Sequence, residues 1–161
     1  MKTKVLLFLA MIALLGACAV QELEEQEVPF QTYSIEQFLK TISVGGGYFS
    51  PDESKLLIYS TESGIFNAYS ISISTGEMTM LTDSTSEAVF PYGYMPNDER
   101  FLYTSDRGGN EINHLFVRNP GGSITELTQG ENTKEVFYGF SHDLTSFLTG
   151  NNGRDSRFFD V

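Results

Sequence analysis

Ser141, His142 and Asp143 are, by residue type, the nucleophile, base and acid of a hydrolase, and they stand side by side. Their spacing argues against that chemistry. A catalytic triad is a relay in space, and neighbours on a turn point in different directions. The nucleophile elbow G-x-S-x-G does not occur in the chain; Gly139-Phe-Ser-His-Asp143 comes nearest and lacks the second glycine. His114, the other histidine, has no Cys or second His at metal-ligand spacing and is expected to be solvated or locally bonded. Asp106-Arg107 and Arg154-Asp155 read as local ion pairs that order loops, with contact to a neighbouring domain as the functional alternative. Glu24-Glu25 has the charge to hold an amine, but a flexible tether holds nothing in place. No catalytic, cofactor-binding or metal-binding residue is assigned, and no cofactor is expected.

The elements that carry these residues repeat. Phe49-Ser-Pro-Asp-Glu-Ser-Lys-Leu-Leu-Ile-Tyr-Ser60 returns as Tyr94-Met-Pro-Asn-Asp-Glu-Arg-Phe-Leu-Tyr-Thr-Ser105, and again, weaker, as Phe140-Ser-His-Asp-Leu-Thr-Ser-Phe-Leu-Thr149. Pro51 to Pro96 is 45 residues and Pro96 to His142 is 46. By this alignment His142 takes the place of a turn proline. Asp52, Asp98 and Asp143 then occupy related turns, where bonding to nearby backbone explains them. Within a unit, Leu56–Tyr59 or Phe101–Tyr103 reads as a buried strand. Asn67–Ile71 or His114–Val117 follows, then a glycine turn, then a strand ending in Leu-Thr (Met78–Thr82, Ile124–Thr128). Ala88–Tyr92 or Val136–Tyr138 supplies a fourth. Four strands in about 45 residues is one blade of a β-propeller. The aromatic residues, 13 Phe and 8 Tyr, fall mostly on strand positions, which core packing explains.

Ahead of the repeats, residues 1–17 read as a secretory signal: Lys2 and Lys4, an uncharged apolar run from Val5 to Leu15, then Gly16 and Ala17. The run is too short for a spanning helix. Leu15-Gly-Ala-Cys18 resembles the bacterial lipobox, which implies lipidation of Cys18 and a membrane anchor. Cys18 is the only cysteine, so no disulfide forms within a monomer. Removing the signal leaves 8 of the 10 basic residues against 21 acidic ones, a formal −13 in place of −11. That balance excludes nucleic acid as an expected partner and argues against a surface that binds anionic headgroups. Residues 18–32, with Glu22, Glu24, Glu25 and Glu27, read as an acidic tether.

Residues 33–161 form the folded part. Ser34 to Lys40 reads as a short helix with a Ser34/Gln37 capping box, and Ile35, Phe38 and Leu39 share a face that should pack on a sheet end. Val44-Gly-Gly-Gly47 leads into a strand and not a helix N-terminus, so it is a close backbone passage and not a phosphate cradle.

Ile35-Glu-Gln-Phe-Leu39, then Phe49-Ser-Pro-Asp52, then Leu81-Thr-Asp83 resemble the N-terminal propeller of prolyl oligopeptidase-family serine peptidases, in particular the bacterial dipeptidyl-aminopeptidase/acylaminoacyl-peptidase branch. Ser105-Asp-Arg-Gly-Gly-Asn-Glu111 resembles that branch's Asp-Arg-Gly-Gly loop. Asn151-Asn-Gly-Arg-Asp-Ser-Arg-Phe-Phe-Asp-Val161 resembles its Asn-Glu-Arg-Asp-Pro-Arg-Phe-Phe-Asp-Val segment, with Gly153 and Ser156 as departures. The repeat motif itself is shared with TolB-like propellers.

The expected fold is all-β: a partial propeller of about two and a half four-stranded blades. A propeller closes with roughly 4 to 8 blades, so this chain reads as the N-terminal fragment of a longer one; the alternative is a short β protein that shields its open edge by oligomerising. The resemblance implies a secreted peptidase that cleaves short peptides, this propeller capping an α/β-hydrolase domain carried elsewhere, and no hydrolase activity in the fragment itself. The alternative is a non-catalytic TolB-like propeller that binds other envelope proteins; a third is a lipoprotein with no enzyme attached. The location expected is the cell envelope, facing the periplasm. Ala19 after Cys18, in place of the Asp that often signals inner-membrane retention, favours the outer membrane by the lipobox resemblance.

Overall fold

The computed structural model describes residues 30–161. The signal, Cys18 and most of the acidic tether lie outside the described residues. Two compact units divide the chain after Leu39. The described part of the first holds one helix, α1 (Ile35–Leu39). The Ser34 N–H donates to Gln37 Oε1 at 2.8 Å and the Gln37 N–H to Ser34 Oγ at 3.3 Å, the reciprocal bonds of a capping box. None of its residues is buried.

The second unit is built from strands: β1 (Val44–Phe49), β2 (Lys55–Ser60), β3 (Asn67–Ser72), β4 (Met78–Met80), β5 (Phe90–Tyr94), β6 (Phe101–Ser105), β7 (His114–Arg118), β8 (Ile124–Glu126), β9 (Glu135–Phe140), β10 (Phe147–Asp155) and β11 (Phe158–Asp160). They form three antiparallel meanders, β1 to β4, β5 to β8 and β9 to β11. Two complete four-stranded sheets and a three-stranded third bear out the partial propeller.

The phase of the repeat differs from the sequence reading by one strand. Ala88–Tyr92 does not close the first unit; β5 opens the second sheet, with Pro91 opposite Tyr103. Val136–Tyr138 likewise belongs to β9, the first strand of the third sheet. Val44–Gly47, read as a passage, is itself part of β1. The cause is the turn. The Ser50 N–H donates to the Lys55 carbonyl at 2.9 Å, Met95 to Arg100 at 2.7 Å and Ser141 to Ser146 at 2.8 Å. A turn closed that tightly makes its two flanking strands a hairpin, so the strand before Pro51 pairs with the strand after it.

Each first strand is bent by a bulge: between Gly46 and Tyr48, between Pro91 and Gly93, and in β9 opposite Leu148 and Thr149. Gly47, Gly93 and Gly139 accompany these bulges at φ of 138°, 141° and 141°, conformations that favour glycine. Gly45 answers to a different need. A Cβ there would lie 2.5 Å from the Tyr59 ring.

Burial follows the period of two. Phe101 and Tyr103 of β6 join Leu57, Ala68, Val89 and Tyr94 in a cluster between the first and second sheets. Leu102 points the other way, to Leu115, Val117, Phe137 and Phe147 against the third. The second sheet is thus covered on both faces, and every residue of β6 is buried.

Candidate functional site

The hydrolase residue types at Ser141–Asp143 are turn machinery. Ser141 Oγ has Asp143 Oδ1 at 2.7 Å and the Ser146 carbonyl at 3.0 Å as acceptors. Asp143 Oδ1 also accepts the Thr145 N–H at 3.1 Å and its hydroxyl at 2.8 Å. His142 is an exposed turn residue in the proline position. The first turn repeats the scheme: Ser50 Oγ donates to Asp52 Oδ1 at 2.6 Å and the Ser54 N–H donates to it at 3.1 Å. Those donors, the Ser50 hydroxyl first, hold the Asp52 carboxyl down to about 2. In the second turn Met95 replaces the serine. Asp98 takes the Arg100 N–H at 2.9 Å and a two-pronged contact from its guanidinium, with Nη2 to Oδ2 at 2.7 Å.

The two Asp-Arg dipeptides do not pair internally, contrary to expectation. Asp106 Oδ2 accepts the Glu111 N–H at 2.8 Å, while Arg107 Nη2 reaches both carboxylate oxygens of Glu126 on β8 at 3.1 Å. The Gly108 N–H donates to Glu87 Oε1 at 3.2 Å, tying this loop to the link between the first two sheets. Arg154 grips Asp160 through Nε and Nη2, both at 2.7 Å, and Asp155 takes Arg157 at 2.7 Å. The segment around Arg154 is therefore not a loop. It is the β10–β11 hairpin, and its ion pairs reach across or along the turn because neighbours on a strand face opposite sides.

His114, expected to be solvated or locally bonded, is buried and bonded across its hairpin. It opens β7, is 3% exposed, and its Nδ1 contacts the carboxylate of Glu126, the group that Arg107 also holds. The signal for this cluster is in the hairpin register. Phe116 stands opposite Glu126, so His114 is the diagonal neighbour of Glu126 on the same face.

Beside this cluster lies a groove of about 760 Å³ between the first two sheets. Its floor is apolar: Leu81, Val89, Tyr103 and Phe116. The rings of Tyr103 and Phe116 stack at 5.1 Å and 14°. Burial pushes the Tyr103 hydroxyl up to about 12, so it stays protonated. Asp83, Glu87 and Asp106 line the end where β6 finishes, together with Arg107, and Arg118 lines the other end, opposite Phe101. The Arg118 guanidinium carbon sits 5.7 Å from the Phe101 ring centre, and Nη1 donates to the Asn119 carbonyl at 3.2 Å. The arrangement offers a hydrophobic floor with an acidic end and a basic end. Among the described residues no group of three or more His, Cys, Asp and Glu could hold a metal.

The three-sheet arrangement has a counterpart among solved structures. The crystal structure of TolB from Acinetobacter baumannii aligns with a TM-score of 0.54 at 17% identity, over 70% of this chain and 27% of that one. The fold is TolB-like. At this identity the likeness is one of fold, and it bears out the TolB-like propeller repeats read from the sequence. The aligned chain spans little more than a quarter of the TolB structure's length. No protein-family model and no curated protein matches the sequence.

Proposed function

We propose that the chain is a non-catalytic TolB-like propeller module of the cell envelope that binds other proteins. It is held at a membrane by a lipid on Cys18 and faces the periplasm, with the outer membrane favoured. The observation that carries this reading is the fold likeness to TolB. Two features support it: the apolar groove with charged ends, and turn positions whose Ser141 and Asp143 are engaged in bonds within the turn. The leader with its cysteine supports the envelope location.

A second reading has its own support. Asp106-Arg-Gly-Gly109 and residues 151–161, the latter with Gly153 and Ser156 as departures, resemble segments of the prolyl oligopeptidase-family propeller named above. In that reading this chain caps and size-filters a serine peptidase for short peptides, and the nucleophile lies on a hydrolase domain outside it.

One experiment separates the two. Native cells are treated with a fluorophosphonate probe, and an antibody to this chain recovers the product. A probe-labelled product much larger than this chain establishes the peptidase reading. An unlabelled product that cross-links to envelope proteins establishes the binding module. Labelling with a palmitate analogue, lost on Cys18→Ser, tests the anchor.

A further inference from the structure

We propose that the groove between the first two sheets is the partner-binding site of this module. It takes an extended protein segment that carries an apolar side chain next to a carboxylate, and Arg118 is its anchor. This inference rests on the reading of the chain as a protein-binding module.

The argument starts from the arginines. Four of the five, Arg100, Arg107, Arg154 and Arg157, each hold a carboxylate. Arg118 is half-buried and holds none among the described residues, in a chain with 21 acidic residues and a net charge of −11. Its side chain is already oriented by the Phe101 ring and by the bond to the Asn119 carbonyl. A partly dehydrated cation with remaining donors is a costly thing to leave unpaired, and a carboxylate is the partner whose geometry matches the guanidinium. The pre-set orientation lowers the entropy cost of capturing one.

The rest of the groove specifies what accompanies that carboxylate. The stacked Tyr103 and Phe116 rings, with Leu81 and Val89, form an apolar floor beside the arginine. Its volume of about 760 Å³ lies inside the range of roughly 300–1,000 Å³ seen for binding clefts. Asp83, Glu87 and Asp106 at the far end repel a second anion and so set the direction of the segment. Arg107 does not compete, because Glu126 neutralises it. From His114 to Arg118 the strand advances four residues, about 13 Å at the rise of a β-strand, room for some three or four extended residues.

The test uses the whole chain and a probe peptide, acetyl-Gly-Ala-Ala-Phe, as the free acid and as the C-terminal amide, with binding read by calorimetry. The free acid is expected to bind about tenfold or more tighter than the amide, the scale of one charge-assisted contact. Arg118→Gln should abolish that preference, Arg118→Lys should keep part of it, and Arg107→Gln should leave it within about twofold. Equal binding of acid and amide by the unmodified protein overturns the proposal and needs no variant to fold. So does a preference that survives Arg118→Gln, or no binding at millimolar peptide. Arg118→Gln is also expected to lose the envelope cross-links; cross-links that survive it remove only this site, whereas an unmodified protein that forms none removes the binding-module reading whatever the groove does.

Discussion

Asn67 and His114 occupy the same place in the first two sheets, at the start of the third strand, and they are used differently. The frame around them is identical. Thr82 and Thr128 each accept the following N–H, from Ala68 and Leu115, at 2.8 Å. The Leu81 and Leu127 N–H groups each return to the carbonyl of that same residue at 2.8 Å. Inside this frame Asn67 closes on its own sheet. Its Oδ1 accepts the Thr82 hydroxyl and the Ser84 N–H, both at 2.8 Å, and its amide donates to Ser63 Oγ and the Ser84 carbonyl at 2.9 Å. His114 turns instead to Glu126 and, through it, to Arg107 on an exposed loop. One position is spent on the scaffold. The other couples a buried ring to a surface cation beside the groove.

The equivalence of the sheets is tested hardest in the core. Leu57, Leu102 and Leu148 share one repeat position, yet they are 0%, 0% and 53% exposed. Leu102→Ala should cost about 2–5 kcal/mol, the range for a buried leucine with a cavity left behind, and Leu148→Ala less than about 1 kcal/mol. Urea unfolding of both variants measures this. Similar losses would mean that the exposed face of the third sheet is covered in solution.

At the next position down in energy, Asn67→Ala leaves the Ser84 N–H and carbonyl without their partner, and about 2–3 kcal/mol is expected from buried groups left unpaired. Glu126→Gln keeps the shape and removes the charge that Arg107 and His114 share. With Glu126 about one-third exposed, roughly 1 kcal/mol is expected, and the Ser105–Glu111 loop should lose hydrogen-exchange protection. If Asn67→Ala proves the milder of the two, the assignment of scaffold to the first sheet and loop coupling to the second is reversed.

These contrasts show what sequence order makes legible. The strands, the turn residues and the helix cap are local, so Pro51, Pro96 and His142 mark the units and Ser34/Gln37 marks the cap. Which neighbour a strand pairs with is not local. Ala88–Tyr92 sits between two units, and its order in the chain suits either; it pairs with β6 because the tightness of the Pro51-type turn decides the pairing. The partners of Arg107, nineteen residues away across a hairpin, and of His114 are set by register, which composition does not show. A nearer acid, Asp106, was the obvious choice and is occupied by a backbone N–H.

The smallest effect separates the turns. Asp52 is held down to about 2 by the Ser50 and Ser54 hydroxyls and a backbone N–H, whereas Asp98 is lowered chiefly by the Arg100 guanidinium. A carboxylate depressed in the folded state stabilises it above its ordinary value near 4, and that contribution fades as the pH falls toward 2. Asp52→Asn should therefore flatten the acid limb of the stability curve between about pH 4 and 2, and Asp98→Asn should also flatten the acid limb, below the ordinary carboxylate range. Salt tells them apart. At 1 M salt the screening length is about 3 Å, which weakens an exposed ion pair and leaves bonds from neutral donors nearly untouched. The Asp98→Asn difference should shrink in salt while the Asp52→Asn difference persists. Equal salt sensitivity would show that both turns are held by long-range charge, and the contrast between serine-bonded and arginine-bonded turns would fail.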